Sequence, residues 1–429
     1  MLPTFYSALT GLRAHATGLN VVGNNLANIN TAGFKRGTIN FSQLMVNQVG
    51  NNNGAVNPMQ FGLGTRTESI SPAFFQGAIS RSGNNTNLAL QGEGFFQVSD
   101  GTDIAYTRAG NFTFDRNGEL KSSNGWAVLG YTQVDADGNV VRSGTPAPLT
   151  IDFEEPSPPR ATQTVRYITN LSSETETGGD FQTNIDIWDD TGQKRRLNLT
   201  FTKDEAVNAW SYQFTTDEGT VVDGTGTVTF DAQGRLATLN GVDINDPAIT
   251  NPTINVTGLP ADAEGNTPGD LSFNWDLVEF ISQPDGTITN DSYLTNFSGF
   301  STNGTFFQDG FGSGDLNRIE FMQDGTMLGF FSNGETHALG AVAVANFNNR
   351  EGLRQIDSNF YEATAASGEA FFAENNGGTV IFGGALESSN VDIADEFTDL
   401  IIHQRGYQSN SKSVTTADQI LQEILGLKR

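Results

Sequence analysis

Three histidines, His15, His337 and His403, are the side chains of this sequence best suited to move a proton near neutral pH. Their spacing offers no Ser/His/Asp constellation, and the metalloprotease pattern H-E-x-x-H is absent. Gly62-Leu63-Gly64 and Gly92-Glu93-Gly94 are fragments of glycine loops. Neither is followed by a further Gly at nucleotide-loop spacing or by a Lys-Ser/Thr pair, so both read as turns. Asp135-Ala136-Asp137-Gly138-Asn139 has calcium-loop character but lacks a third ligand before its Gly and a closing Glu, and reads as a hairpin turn. Paired carboxylates such as Glu154-Glu155 and Asp189-Asp190 carry little signal in so acidic a chain. Lys35-Arg36 is a short basic patch that reads as a solvated end. With no cysteine, disulfides, thiolate metal sites and cysteine nucleophiles are excluded. The expectation is a non-enzyme with no cofactor and no metal.

With no catalytic constellation to position, the elements that carry these residues are read for architecture. Across 429 residues there are 49 Gly and 31 Phe, and only 17% of residues are charged. Frequent Gly marks tight turns, and Thr, Val and Phe between those turns read as strands of a β-rich globular body. The net charge of -26 disfavours nucleic acid and anionic membranes as partners. Asn, Thr and Gly interrupt every apolar run in residues 1–34, so no Sec-type signal is expected. No segment approaches the ~18 apolar residues of a membrane span, and membrane insertion is not expected.

The two ends differ from the middle. Phe5, Leu9, Leu12, Ala16, Leu19, Gly23 and Leu26 recur at steps of four and three, with Val22 beside them, which predicts a helix with coiled-coil-like spacing. Thr4 can cap its start, and Asn30, Thr31 and Gly33 are its stop signals. Its other face, Ser7, Thr10, Thr17, Asn20 and Asn24, is polar but nearly uncharged. At the C-terminus, Ile393, Phe397, Leu400, Gln404 and Tyr407 repeat the spacing, and Val414, Ala417, Leu421 and Ile424 resume it after a polar break at Asn410 and Ser411. Ser389 or Asn390 can cap that helix. Asp392 and Asp395 suit its start, and Lys428 and Arg429 its end.

Between the ends, residues 36–85 read as an irregular arm holding Asn51-Asn52-Asn53-Gly54 and Asn57-Pro58. Strand-and-turn patterning follows. Phe95, Phe96 and Val98 lead to Asp100-Gly101, Phe112 and Phe114 to Asn117-Gly118, and Ile185–Trp188 faces Leu197–Phe201 across Asp189–Gly192. The predicted fold class is mainly β with terminal α-helices, in a nested multidomain order. Residues 1–35 and 385–429 form a coiled-coil-like helical assembly domain, 36–85 an arm, 86–158 and 300–384 an inner β domain, and 159–299 one or more outer β domains inserted in it.

Several motifs resemble the flagellar rod and hook family. They are Asn24-Asn25-Leu26-Ala27-Asn28 with Thr31, Gly33, Phe34 and Lys35, then Gly384 to Asp392 with Leu386, Asn390 and Val391, then Gln404-Arg405-Gly406-Tyr407. Gly92-Glu93-Gly94-Phe95-Phe96 and Tyr106 to Phe112 are similar to that family's inner β domain, and Ala345-Asn346-Phe347 to its returning strand. The resemblance covers well over half the chain. Gly406 departs from it, standing where the family often has a bulkier residue, which predicts a locally looser helix.

The resemblance implies a structural subunit that polymerises into the curved tube of the bacterial flagellar hook, a universal joint passing torque from rod to filament. The insertion over 160–298 is what favours a hook subunit over the shorter rod proteins. The implied self-assembly residues are Phe5, Leu9, Leu12, Leu19, Val22 and Leu26 on the first helix and Phe397, Leu400, Tyr407, Val414, Leu421 and Ile424 on the last. The implied partners are further hook subunits, the distal rod protein, a hook-capping protein, a hook–filament junction protein and the flagellar type III export apparatus. The implied location is outside the cell, reached without a cleaved signal peptide. The alternatives are a distal rod protein and a secreted β-rich adhesin.

Overall fold

The structure, a computed structural model, describes residues 2–44, 46–49, 59–135, 138–246, 249–261, 265–282, 288–372 and 377–426. The chain is mainly β, with a long helix at each end: α1 (Leu2–Ala27) and α2 (Ile393–Gly426). Pro3 falls in the first turn of α1, where a missing N–H costs nothing. Thr4 therefore lies inside the helix and not at its cap. The chain leaves α1 through Gly33, whose φ of 68° is the left-handed conformation that glycine tolerates best. Asp392 caps α2: its Oδ1 accepts from the backbone N–H groups of Ala394 at 2.7 Å and Asp395 at 3.3 Å. Ser389 and Asn390, the expected caps, lie too far upstream. α2 also runs unbroken past Asn410 and Ser411, because Asn410 Nδ2 turns back to donate to the Gly406 carbonyl at 2.8 Å. The Lys428-Arg429 end lies outside the described residues, as do Asn51–Gly54, Asn57-Pro58 and the centre of the Asp135–Asn139 turn.

Two compact units divide the chain. The first comprises Met1–Asp152, Arg318–Phe330 and Thr336–Arg429, and the second Phe153–Asn317 with Phe331–Glu335. In the first unit, the segment expected to be irregular is largely paired. Strand Gly37–Gln43 runs antiparallel to Thr65–Pro72, from Gly37↔Pro72 to Gln43↔Thr65, with a bulge at Asn40/Phe41. Val46–Val49 pairs with Met59–Gly62 beyond it. These strands are rich in Thr, Asn, Ser and Gln, so they lack the apolar alternation by which a strand is recognised in sequence.

The main sheet of this unit places Thr336–Val342, Ala127–Tyr131, Phe95–Ser99, Ile104–Thr107 and Phe360–Glu362 side by side. Its core is aromatic: Tyr106 meets Phe347 at 4.8 Å and Phe74 meets Phe95 at 5.4 Å between ring centroids, both edge to face. Two short ladders return the chain to α2. Val380–Gly383 pairs with Leu88–Gln91, and Ala385–Glu387 with Ile79–Arg81.

The second unit is a two-sheet sandwich. One sheet runs Asp180–Trp188, Lys194–Lys203, Ala209–Thr216, Thr225–Phe230 and Leu236–Leu239. The other includes Thr253–Thr257, Leu271–Trp275 and Thr164–Asn170. Strand Lys194–Lys203 alternates strictly between buried and less buried positions, the period-two signature of a strand with one core face. Trp275 reaches across the sheets to Tyr212 at 4.9 Å and Phe214 at 5.1 Å, and Trp210, Phe201 and Phe273 are buried around it.

Candidate self-assembly interface

The face that α1 buries is not the one its large apolar residues mark. Ala8, Gly11, Ala14, Gly18, Val22 and Asn25 are buried, whereas Phe5, Leu9, Leu12, Leu19 and Leu26 lie beside them, only half-buried. Of the expected stripe, Val22 alone reaches the core. The reason is steric: α2 packs along α1, and small residues let the two backbones approach closely. A Cβ on Gly11 would lie 2.8 Å from Asn410 Oδ1, one on Gly18 2.7 Å from the His403 ring, and one on Gly406 2.5 Å from the His15 ring. Gly406 is thus the socket for His15, and the expected loosening of the helix gives way to a fitted contact.

On α2 the residues turned to α1 are Glu396, His403, Gly406 and Asn410; further along, Val414 is half-buried and Ala417 buried. Leu400 is half-buried as well, but Phe397, Tyr407, Leu421 and Ile424 stay exposed. With Ile393, Ile401, Ile402 and Ile420 they leave large apolar side chains 41–55% exposed along the helix. Gln404 and Arg405 are exposed too. Arg405 lines a groove of about 610 Å³ with Thr4, Gln408, Lys412, Thr416 and Ile420.

A buried ionic knot fixes the helix pair to the β elements of the same unit. Lys35 Nζ lies 2.6 Å from Glu387 Oε1 and donates to the Phe75 carbonyl at 2.9 Å. Arg108 Nη1 approaches Glu387 Oε2 at 3.5 Å, and its Nη2 donates to the Gly92 carbonyl at 2.6 Å. The Gly77 N–H completes the shell of Glu387 at 2.9 Å. All three ionic side chains are at most 1% exposed. Burial pulls the Lys35 ammonium below its ordinary range, and Glu387 opposes that pull. Lys35 is therefore no solvated end.

A second knot sits where α1, the paired arm and α2 meet. Asn25 Nδ2 donates to the Gly37 carbonyl at 2.9 Å and to Glu396 at 3.1 Å, while its Oδ1 accepts from the Gly37 N–H at 2.9 Å. Arg36 contacts Glu396 and Asp399, each at 2.6 Å, and its backbone N–H donates to Asn390 Oδ1 at 2.7 Å. Burial raises the Glu396 carboxyl above its ordinary value, with Asn25 and Arg36 working against the shift.

The motif residues therefore divide. Asn25, Gly33, Phe34, Asn390 and Val391 converge on these knots, and a Cβ on Gly33 would stand 2.5 Å from the Ala109 nitrogen. Asn24, Asn28 and Thr31 bond to one another at the end of α1. Gly384, at φ 66°, and Leu386 serve the returning ladder. Sequence reasoning missed Arg108 and Glu387 in the first knot and Glu396 in the second, because each meets its partners across hundreds of residues, a separation that carries no periodic signal.

No helix among the described residues is long and apolar enough to cross a membrane. Residues 5–35 match the family described as flagella basal body rod protein, and 383–427 the flagellar basal body rod FlgEFG protein C-terminal family. Residues 89–151 match the flagellar hook protein FlgE/F/G D1 domain, and 161–311 the flagellar basal body protein FlaE D2 domain. The chain is 34% identical to the flagellar hook protein FlgE of Treponema pallidum and 33% identical to that of Borreliella burgdorferi, over the whole of each chain. Identity to the hook protein FlgE of Salmonella typhimurium is 28%, over 99% of this chain and all of that one. A crystal structure of Helicobacter pylori flagellar hook protein FlgE2 is similar with a TM-score of 0.48 at 14% identity, covering 72% of this chain and all of that chain. The end-to-end matches to the hook proteins of Treponema pallidum and Borreliella burgdorferi support the hook reading over the distal-rod and adhesin alternatives. The chain belongs to the flagellar hook protein FlgE family, and it is a structural protein of the flagellum, not an enzyme.

Proposed function

We propose that α1 and α2 together form the assembly domain through which copies of this chain polymerise into the hook tube, with the β units forming its outer layers. The observation that supports this reading is the apolar surface that α2 leaves exposed. Along α2, Phe397, Ile401, Tyr407, Leu421 and Ile424 face solvent. An apolar row of that length on a folded protein belongs to a contact surface, and other copies of the same helix pair are the occupants that a homopolymer supplies. In this reading the helices pack in coiled-coil fashion with neighbouring copies, and the β units are nested between them in the chain. The half-buried Leu9, Leu12, Leu19 and Leu26 of α1 complete the contact.

By the same reading, the free subunit crosses the flagellar type III export apparatus unfolded, without a cleaved signal peptide. It then meets the distal rod protein, a hook-capping protein and a junction protein at the ends of the tube. The polar arm and the acidic β surface would allow neighbouring copies to slide as the curved hook turns.

Phe397→Asp combined with Ile401→Asp in the full chain tests the proposal. Both side chains are about half exposed, so each unit should keep its fold by near-UV circular dichroism while sedimentable polymer is lost. Polymer at wild-type yield would refute the assignment of α2's exposed apolar surface.

A further inference from the structure

We propose that His15 and His403 form a pH-sensitive latch between α1 and α2. Their Nδ1 atoms lie 3.2 Å apart and their ring centroids 5.5 Å apart, so the two nitrogens sit almost on the line joining the rings. That alignment is a direct hydrogen bond: one imidazole donates Nδ1–H and the other accepts with its Nδ1 lone pair. Each ring is seated on the other helix's glycine, His15 over Gly406 and His403 over Gly18, so neither can withdraw without parting the helices. Phe41 of the strand Gly37–Gln43 closes the side of the pair, 6.2 Å from His15 and 6.0 Å from His403.

Protonation acts in two steps. A first proton on the donor ring's free Nε2 leaves Nδ1–H donating to Nδ1, and the contact survives. A second proton must occupy the acceptor Nδ1, setting N–H against N–H and one positive ring against another. The second protonation therefore opens the contact. Among the described residues, no carboxylate contributes to the environment that shifts His15. On α1 the neighbouring ionisable group is Arg13, exposed; on α2 they are Arg405, exposed, and Asp399, bound to Arg36. The strand Thr65–Pro72 carries Arg66, which bonds Ser42, and Glu68, both exposed, and Gly37–Gln43 carries none.

Burial first, and the charge of His403 second, hold the His15 imidazole below its ordinary 6.5. A base with a lowered folded-state value contributes its full stability above the unfolded value. Helix pairing is therefore complete above pH 6.5 and weakens as pH falls below it.

The inference rests on the assembly reading, and the experiment separates the two. Polymer of the full chain is brought from pH 7.5 to pH 5.0, and the critical concentration is measured for wild type, His403→Asn and His15→Asn. Asn presents a neutral amide where imidazole Nδ1 stood. Wild type should show a critical concentration about fivefold higher or more at pH 5.0, the factor that ~1 kcal/mol makes, and both variants should respond less. Variants that track the wild-type curve would overturn the latch. Failure of wild type to polymerise at pH 7.5 would count against the assembly reading instead. Should a variant not assemble, ¹⁵N NMR of the wild-type polymer, with the His337 signal identified by its His337→Asn variant, decides: two separated steps for the remaining pair support the latch, and two independent steps at the ordinary value overturn it.

Discussion

Glu387 balances two buried cations, Lys35 and Arg108, from the strand that leads into α2. Replacing a buried ion group by apolar residues can be neutral, but removing one partner leaves charge stranded in a low-dielectric site. Glu387→Ala is therefore expected to destabilise the first unit by ~3–5 kcal/mol, read as a lower urea midpoint of the full chain. A loss below about 1 kcal/mol, the scale of a surface pair, would show that the cluster is solvated. Glu396 makes stability depend on pH. Its carboxyl is raised, so its contribution is full below the unfolded value of 4.5 and declines as pH rises through the higher folded value. Wild type should thus lose stability relative to Glu396→Gln as pH climbs from 4 to 6, a trend that parallel stability curves would contradict.

For an element such as α1 or α2, glycine means different things at different positions. Gly23 is exposed, and a Cβ there would meet nothing within 4 Å, so Gly23→Ala should stabilise α1 by roughly 0.5–1 kcal/mol through helix propensity alone. Gly406→Ala gains the same propensity but drives a Cβ to 2.5 Å from the His15 ring. Overpacking of ~1–3 kcal/mol outweighs that gain, and polymer yield at neutral pH should fall. Equal effects of the two substitutions would remove the socket from the account. The existence of both helices was legible because a stripe at steps of four and three needs only the α-helical repeat. Which residues faced inward was not legible. Hydrophobicity marks Leu9, Leu12 and Leu19, whereas close helix contact selects Ala8, Gly11, Ala14 and Gly18.

In the molecule as a whole, the two compact units have separate cores, so two unfolding transitions are expected. Trp275→Ala empties the centre of the sandwich, where the side chain is fully buried against Tyr212 and Phe214. A loss of ~3–5 kcal/mol should lower one calorimetric transition and leave the other in place. A single shifted transition would show instead that the units unfold together. The hairpin turns that build both units were readable locally, since Asp-Gly and Asn-Gly pairs place glycine at positive φ, as at Gly101, Gly118 and Gly241. The paired arm was not, because its polar strands Gly37–Gln43 and Thr65–Pro72 carry no alternation and lie apart in the chain, with residues 44–64 between them.

The sequence by itself determined a β-rich chain between two amphipathic ends, without cysteine or a constellation for catalysis. Those properties follow from composition and short-range periodicity, which act within a few residues of one another. Only the tertiary structure decided that Lys35, a basic residue beside Arg36, is buried against Glu387, that Gly406 receives His15, and that His15 meets His403. Each of these contacts joins residues more than 350 positions apart. Their energy comes from desolvation and close approach, neither of which leaves a local mark on the sequence.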